Sequence, residues 1–292
     1  MRPPARLEPL IADGIIDAVK RPLQSGKEAD VYVVECGVET CCAKIYKAAT
    51  ERSFQSRAEY AEGRRHSNSR RARAVAKGTR YGKRVDEDAW QRTEVDALYR
   101  LAAAGVRVPQ PYQFADGVLV MELVTDAAGE AAPRLDGLSI GPEQARDWHG
   151  QLIREVVRML CAGLIHGDLS PYNILVDESG PIVIDFPQVV DAAGNNNACR
   201  MLVRDVDHLT AFFARAAPEL AETDYAREIW ALYETADLSP TTPLTGHYEP
   251  PSHTPDVYAV LGEIQAAREE AEGRVPSDEQ EDDPEDDDEE DW

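Results

Sequence analysis

The chain has 292 residues, of which 43% are hydrophobic, enough to bury a sizeable core without disulfide staples. No segment approaches the apolar length of a membrane span, and the opening run MRPPARLEPLIADGIIDAV lacks the apolar stretch of a secretory signal, so a cytoplasmic protein without membrane contact is expected. The formal net charge of −23 is unevenly spread: twelve acidic and no basic residues lie between Asp278 and Asp291, whereas Arg52 to Arg84 carries eleven Lys or Arg against Glu59 and Glu62.

In chain order, residues 8–20 carry Leu10, Ile11, Ile15, Ile16 and Val19 as a short amphipathic helix would, broken at Pro22. Two strand-like runs follow, Val31–Val34 and Cys41–Tyr46, with a hairpin turn between them. Adjacent Cys41 and Cys42 point to opposite faces of such a strand, and the five cysteines show no CxxC spacing, so reduced thiols are expected rather than a metal cluster. The basic block is rich in Ser, Gly and Arg with weak periodicity, which reads as a flexible insertion over about 54–84. Trp90, Val95, Leu98 and Leu101 predict a helix over 88–104, ended by Gly105. Residues 108–111 read as a loop and Val118–Val124 as a buried strand. A helix is predicted over 142–163, opened by Pro142 and Glu143, with an apolar stripe of Leu152, Ile153, Val156, Val157 and Leu160. Two short strands, 174–176 and 182–184, follow the polar run His166–Asn173. A last helix is predicted over 254–274, and the acidic tail reads as disordered. Strands thus dominate the first half and helices the second.

His166-Gly-Asp168-Leu-Ser-Pro-Tyr-Asn173 holds the residue types that phosphoryl transfer needs. An Asp can orient an attacking hydroxyl and accept its proton, and an Asn five residues on can hold a metal ion on the phosphates. Turn formers in a polar loop would look similar. Asp185 closes the apolar run Ile182–Ile184, and a hairpin returns it beside Asn173 as a second metal ligand. Lys44 sits inside an apolar strand, where its charge is costly without a partner; Glu94 on the next helix is the candidate. Each residue has an ordinary reading alone: a solvated strand lysine, an exposed helix glutamate. The order Lys44, Glu94, Asp168, Asn173, Asp185 is that of protein kinases.

These residues resemble the RIO family of atypical kinases. SGKEADVY (25–32), CAKIYK (42–47), the helix start from Trp90 to Glu94, GVRVPQP (105–111), LVMELV (119–124), HGDLSPYNIL (166–175), IDFPQ (184–188) and RDVDHLTAFF (204–213) carry the resemblance. It implies an α+β, bilobal kinase-like fold, with a β-rich N-lobe over 1–121, a helical C-lobe over 122–238, an extension over 239–276 and an acidic tail over 277–292. Only 23 residues precede Gln24, too few for the winged helix of one RIO branch, so a bacterial-type member without it is expected. The resemblance further implies that Ser25 and nearby amides cover the ATP triphosphate and that Lys44 contacts phosphates. It makes Met121, Glu122 and Leu123 the adenine hinge, Asp168 the catalytic Asp, and Asn173 and Asp185 the Mg2+ ligands, with Mn2+ as a substitute.

The implied activity is serine/threonine phosphorylation of proteins, itself included, with Ser67 and Ser69 as autophosphorylation candidates. Two alternatives stand beside it. One is an RNA-associated, nucleotide-switched ATPase with a phosphoaspartate at Asp185 and RNA contact through the basic block. The other is a small-molecule kinase of the aminoglycoside phosphotransferase type.

Overall fold

The computed structural model describes residues 3–26, 28–47 and 80–250, with side chains from Gln91 onward in the last stretch. The chain divides after Tyr248, and the elements below all belong to the first unit. Residues 48–79, with most of the basic block and with Ser67 and Ser69, lie outside the described residues. So do 251–292, with the predicted helix 254–274 and the acidic tail.

An antiparallel five-stranded sheet in the order β1-β2-β3-β5-β4 forms the first lobe. Its strands are β1 (Ala18–Ser25), β2 (Ala29–Cys36), β3 (Glu39–Tyr46), β4 (Pro111–Ala115) and β5 (Val118–Glu122). The predicted β2–β3 hairpin forms, turning at Gly37, whose φ of 65° lies in the left-handed region that favours glycine. The first predicted helix is shorter than its apolar pattern suggests: α1 covers Glu8–Ala12, and Ala18 onward is strand. Gly14, at φ 71°, ends the helical path. Pro22 does not break the segment, because β1 is an edge strand and its pairing shifts register around Val19/Arg21 and Pro22/Gln24. The loop read at 108–111 is likewise shorter, since Pro111 already pairs with Met121.

The alternation of β3 separates two cores. Cys41, Ala43 and Ile45 pack with Leu7, Leu10 and Ile16 from the N-terminal segment, together with Val118 and Val120. Tyr46 and Leu119 belong instead to the core that continues into the helical lobe. Lys44, which shares the Tyr46 face, is therefore directed into the molecule.

The helix predicted over 88–104 starts earlier, as α2 (Arg80–Ala103), so Arg80, Lys83 and Arg84 are helical and not part of a flexible insertion. The second lobe is built on α3 (Pro142–Cys161), whose predicted stripe Leu152, Ile153, Val156, Val157 and Leu160 is wholly buried. Around it lie β6 (Leu164–Ile165), the hairpin β7 (Ile174–Asp177) and β8 (Gly180–Val183), β9 (Val190–Asp191), α4 (Ala198–Phe213) and α5 (Tyr225–Glu234). Arg107, in the turn after α2, ties the lobes together. Its guanidinium donates to both oxygens of Asp177 at 2.6 and 2.5 Å, and its backbone N–H donates to Glu155 at 2.9 Å.

Leu152 is fully buried, so Leu152→Ala is expected to cost about 2–5 kcal/mol of stability, read as a lower midpoint in urea unfolding. An unchanged midpoint would remove α3 from the centre of the core.

Candidate active site

The pairing of Lys44 with Glu94 forms as the sequence suggests, and a third residue joins it. Lys44 Nζ donates to Glu94 Oε1 at 2.6 Å and to Asp185 Oδ1 at 2.8 Å. Glu94 comes from the buried face of α2, beside Val95 and Leu98. The lysine and glutamate side chains are 12% and 5% exposed, while Asp185 is 41% exposed, so the cluster has one dry end and one wet end. Burial alone would lower the lysine's pKa, but the charges of Asp185 and Glu94 outweigh it and hold it well above the ordinary value. Burial also raises the Asp185 carboxyl; the charge and hydrogen bond of Lys44 override this and leave it below the usual carboxylate range. At Glu94 burial wins over the lysine's charge, and the pKa rises. Asp185 adopts φ 68°, a left-handed conformation unusual for a non-glycine, just past the end of β8.

The run His166–Asn173 lies between β6 and β7. His166 is 1% exposed and packs against Phe186, with ring centroids 4.9 Å apart and planes tilted by 47°. Its Nε2 lies 3.2 Å from the Ile184 carbonyl, and its Nδ1 accepts the Asp168 N–H at 3.3 Å. A carbonyl can only accept and an amide N–H only donate, so the ring is neutral with its proton on Nε2. Burial, which lowers its pKa, favours the same state. Asn173 Nδ2 donates to the Asp168 carbonyl at 2.9 Å, and the Asn173 carbonyl accepts from Ile184 N at 2.9 Å. Asp168 and Asn173 are thereby tied to the segment that ends in Asp185.

Asp205 was not singled out from the sequence. It is 2% exposed on α4, and its carboxylate accepts the N–H groups of Gly167 at 2.8 Å and Leu169 at 3.1 Å, on either side of Asp168. Arg204 donates to the Gly167 carbonyl. Gly167, at φ 83°, turns the chain so that both neighbours can be held. The signal was present in the sequence: Asp205 interrupts the stripe Met201, Leu202, Val206, Leu209, Phe213, all buried. A carboxylate on such a stripe needs buried donors.

Ser25 does not join the Lys44 cluster. Its Oγ donates to Asp30 at 2.5 Å across the β1–β2 turn, and Lys47 clamps the same turn, reaching Asp30 at 2.9 Å and the Gly26 carbonyl at 2.8 Å. Burial raises the Asp30 carboxyl, but the Ser25 and Lys47 contacts outweigh it and lower its pKa. Met121 and Glu122 end β5, and the Glu122 N–H is already used by the Gln110 carbonyl at 2.9 Å; Leu123 follows directly.

Asn173 and Asp185 supply an amide oxygen and a carboxylate, the hard donors that suit a magnesium-like cation. Among the described residues no cluster of three or more His, Cys, Asp or Glu could hold a metal alone. Two oxygens fit a cation that takes its remaining ligands from phosphates and water. Also among the described residues, no helix is long and apolar enough to cross a membrane.

A strand-rich lobe over a helical lobe, with a strand lysine paired to a helix glutamate above an Asp–Asn loop and a strand-end Asp, defines the protein-kinase-like class. Within it, residues 30–226 match the RIO domain, and the chain belongs to the RIO family. It is 37% identical over 215 residues to the RIO-type serine/threonine-protein kinase Rio1 of Haloferax volcanii, covering 72% of this chain and 68% of that protein. It is 30% identical to a probable serine/threonine-protein kinase RIO1 homolog of Encephalitozoon cuniculi, covering 74% and 59%, and 30% identical to human serine/threonine-protein kinase RIO1, covering 70% and 35%. The chain thus spans a little over a third of the human relative. These names favour neither the ATPase nor the small-molecule alternative.

Burial raises the Asp205 carboxyl from 3.8 to about 7 against the two backbone donors that lower it. A raised folded-state pKa means stability that is fully present below the unfolded value and lost as pH rises through the folded one. Stability from this group should therefore fall between pH 3.8 and about pH 7. Asp205→Asn should flatten that part of the denaturation profile; a profile parallel to wild type would contradict the assignment.

Proposed function

We propose that this chain transfers the γ-phosphate of ATP to serine or threonine hydroxyls of proteins, itself included. The observation that supports this best is the continuity of the Lys44–Glu94–Asp185 cluster with the Asp168–Asn173 loop through the Ile184–Asn173 backbone bond. In this reading, residues 1–121 form the nucleotide-facing lobe and 122–238 the lobe bearing the catalytic loop. Residues 239–276 and the acidic tail 277–292 are appended to it.

Asp168 orients the acceptor hydroxyl and takes its proton as the new oxygen–phosphorus bond forms and the bond from the γ-phosphorus to the bridging oxygen breaks. Lys44, held protonated by Glu94 and Asp185, neutralises phosphate charge. Asn173 and Asp185 would hold Mg2+, or Mn2+ in its place, which would supply charge neutralisation on the phosphates. Ser25 and the backbone amides of its turn cover the triphosphate, and the 121–123 segment meets adenine. The site of action is the cytoplasm, in keeping with five free cysteines. The basic segment 52–84 contacts RNA phosphates.

Asp168→Ala is expected to lower kcat by about 10²–10⁴-fold with ATP affinity retained, measured by transfer of labelled phosphate to protein. Equal rates would remove Asp168 from the chemistry. If the basic segment binds RNA, affinity will fall steeply between low and moderate salt and will be lost on deleting residues 64–84. Salt-independent binding contradicts that part of the proposal.

A further inference from the structure

Arg134 lies at the end of the loop that follows β5, and its backbone is anchored to the second lobe. It forms a β-bridge with Leu175, two residues beyond Asn173, and the preceding Pro133 carbonyl accepts from Val176 N at 2.9 Å. Its side chain crosses to the first lobe, where Nη2 donates to Gln24 Oε1 at 2.8 Å. Gln24 immediately precedes Ser25 in β1. One arginine therefore spans from β7, the strand that directly follows Asn173, to the end of β1.

Arg134 meets the neutral side-chain amide of Gln24, as Arg200 meets that of Asn197, whereas Arg21, Arg107, Arg146, Arg158 and Arg227 each meet a carboxylate. A guanidinium carries five N–H donors in a planar fork suited to carboxylate or phosphate, and one amide oxygen uses little of that capacity. The residue is partly buried, while its contact with Gln24 is exposed. Its charge helps to lower the Asp185 carboxyl, behind the larger effects of Lys44 and His166. Arg21 and Glu130 form a second, exposed contact at 3.1 Å between β1 and the same loop.

We propose that Arg134 is a phosphate-binding residue of the nucleotide site, exchanging its contact with Gln24 for a phosphate oxygen of the bound nucleotide. Lys44 would then approach the phosphates from β3 and Arg134 from the opposite lobe. The inference rests on the nucleotide site described above. The same exchange links the lobes through the ligand, so that binding replaces a bond from the guanidinium to a neutral acceptor by an ion pair with an anionic one.

Titration calorimetry of the full chain with ATP, ADP and adenosine tests this, using wild type, Arg134→Met and Arg134→Lys. Arg134→Met should weaken ATP by about tenfold or more, the worth of one charged hydrogen bond, and leave adenosine within about twofold. Arg134→Lys should fall between, because it keeps the charge and loses the fork. In turnover, KM for ATP should rise while kcat changes little. ATP affinity equal to wild type in Arg134→Met overturns the proposal. So does equal weakening of ATP and adenosine, which marks a packing role. If Arg134→Met does not fold, Arg134→Lys with wild-type ATP affinity overturns it instead. Wild type that binds no ATP overturns the nucleotide site itself, an outcome separate from these.

Discussion

The shared hydrogen bonding of Lys44 to Glu94 and Asp185 is the constraint on which the rest of the structure depends. It joins a central strand, the long helix of the first lobe, and the end of a hairpin in the second. The lysine has little choice of direction. Its neighbours Cys41, Ala43 and Ile45 face the core closed by Leu7, Leu10 and Ile16, so Lys44 points the other way, toward the helical lobe. A buried cation there is tolerated only with paired anions. Breaking such a pair by removing one partner costs about 3–5 kcal/mol, because the remaining charge stays buried. The partially exposed end of the cluster, at Asp185, is the end that opens on the cleft.

A second constraint acts from below. Asp205 and Arg204, adjacent on α4, grip the backbone on both sides of Gly167, and His166 is locked in one tautomer between Ile184 and Asp168. The side chain of Asp168 is left to the cleft while its backbone is held. This is the arrangement expected of a group whose position matters more than its own pairing. Asp185 is held in a left-handed conformation by Lys44 on one side and by the Ile184–Asn173 bond on the other. Strain at that residue, about 1–3 kcal/mol, is offset by these contacts.

Much of this was legible in the sequence where chemistry and periodicity coincide. Lys44 stood out as a charge in an apolar strand, and Asp185 as an acid closing one; the α3 stripe was readable from its spacing. Strand β1 was not, because Pro22 reads as a breaker until the strand is known to lie at a sheet edge. The start of α2 at Arg80 was hidden by a basic, weakly periodic run whose helicity periodicity does not reveal. The contacts of Ser25 with Asp30 and Lys47, residues 5 and 22 apart from it in sequence, are not disclosed by composition. Asp205 lies within the RDVDHLTAFF run, but its task depends on the distant Gly167, and Arg134 belongs to no motif and acts through the equally distant Gln24.

The central claim is that this cleft moves phosphate from ATP to a protein hydroxyl. Mass-spectrometric mapping of phosphate after incubation with ATP and Mg2+, on wild type and Asp168→Ala, tests it most directly. The account predicts phosphoserine or phosphothreonine in wild type and none in the variant. Phosphate found only as an acyl phosphate at Asp185, or released entirely to water, would contradict it.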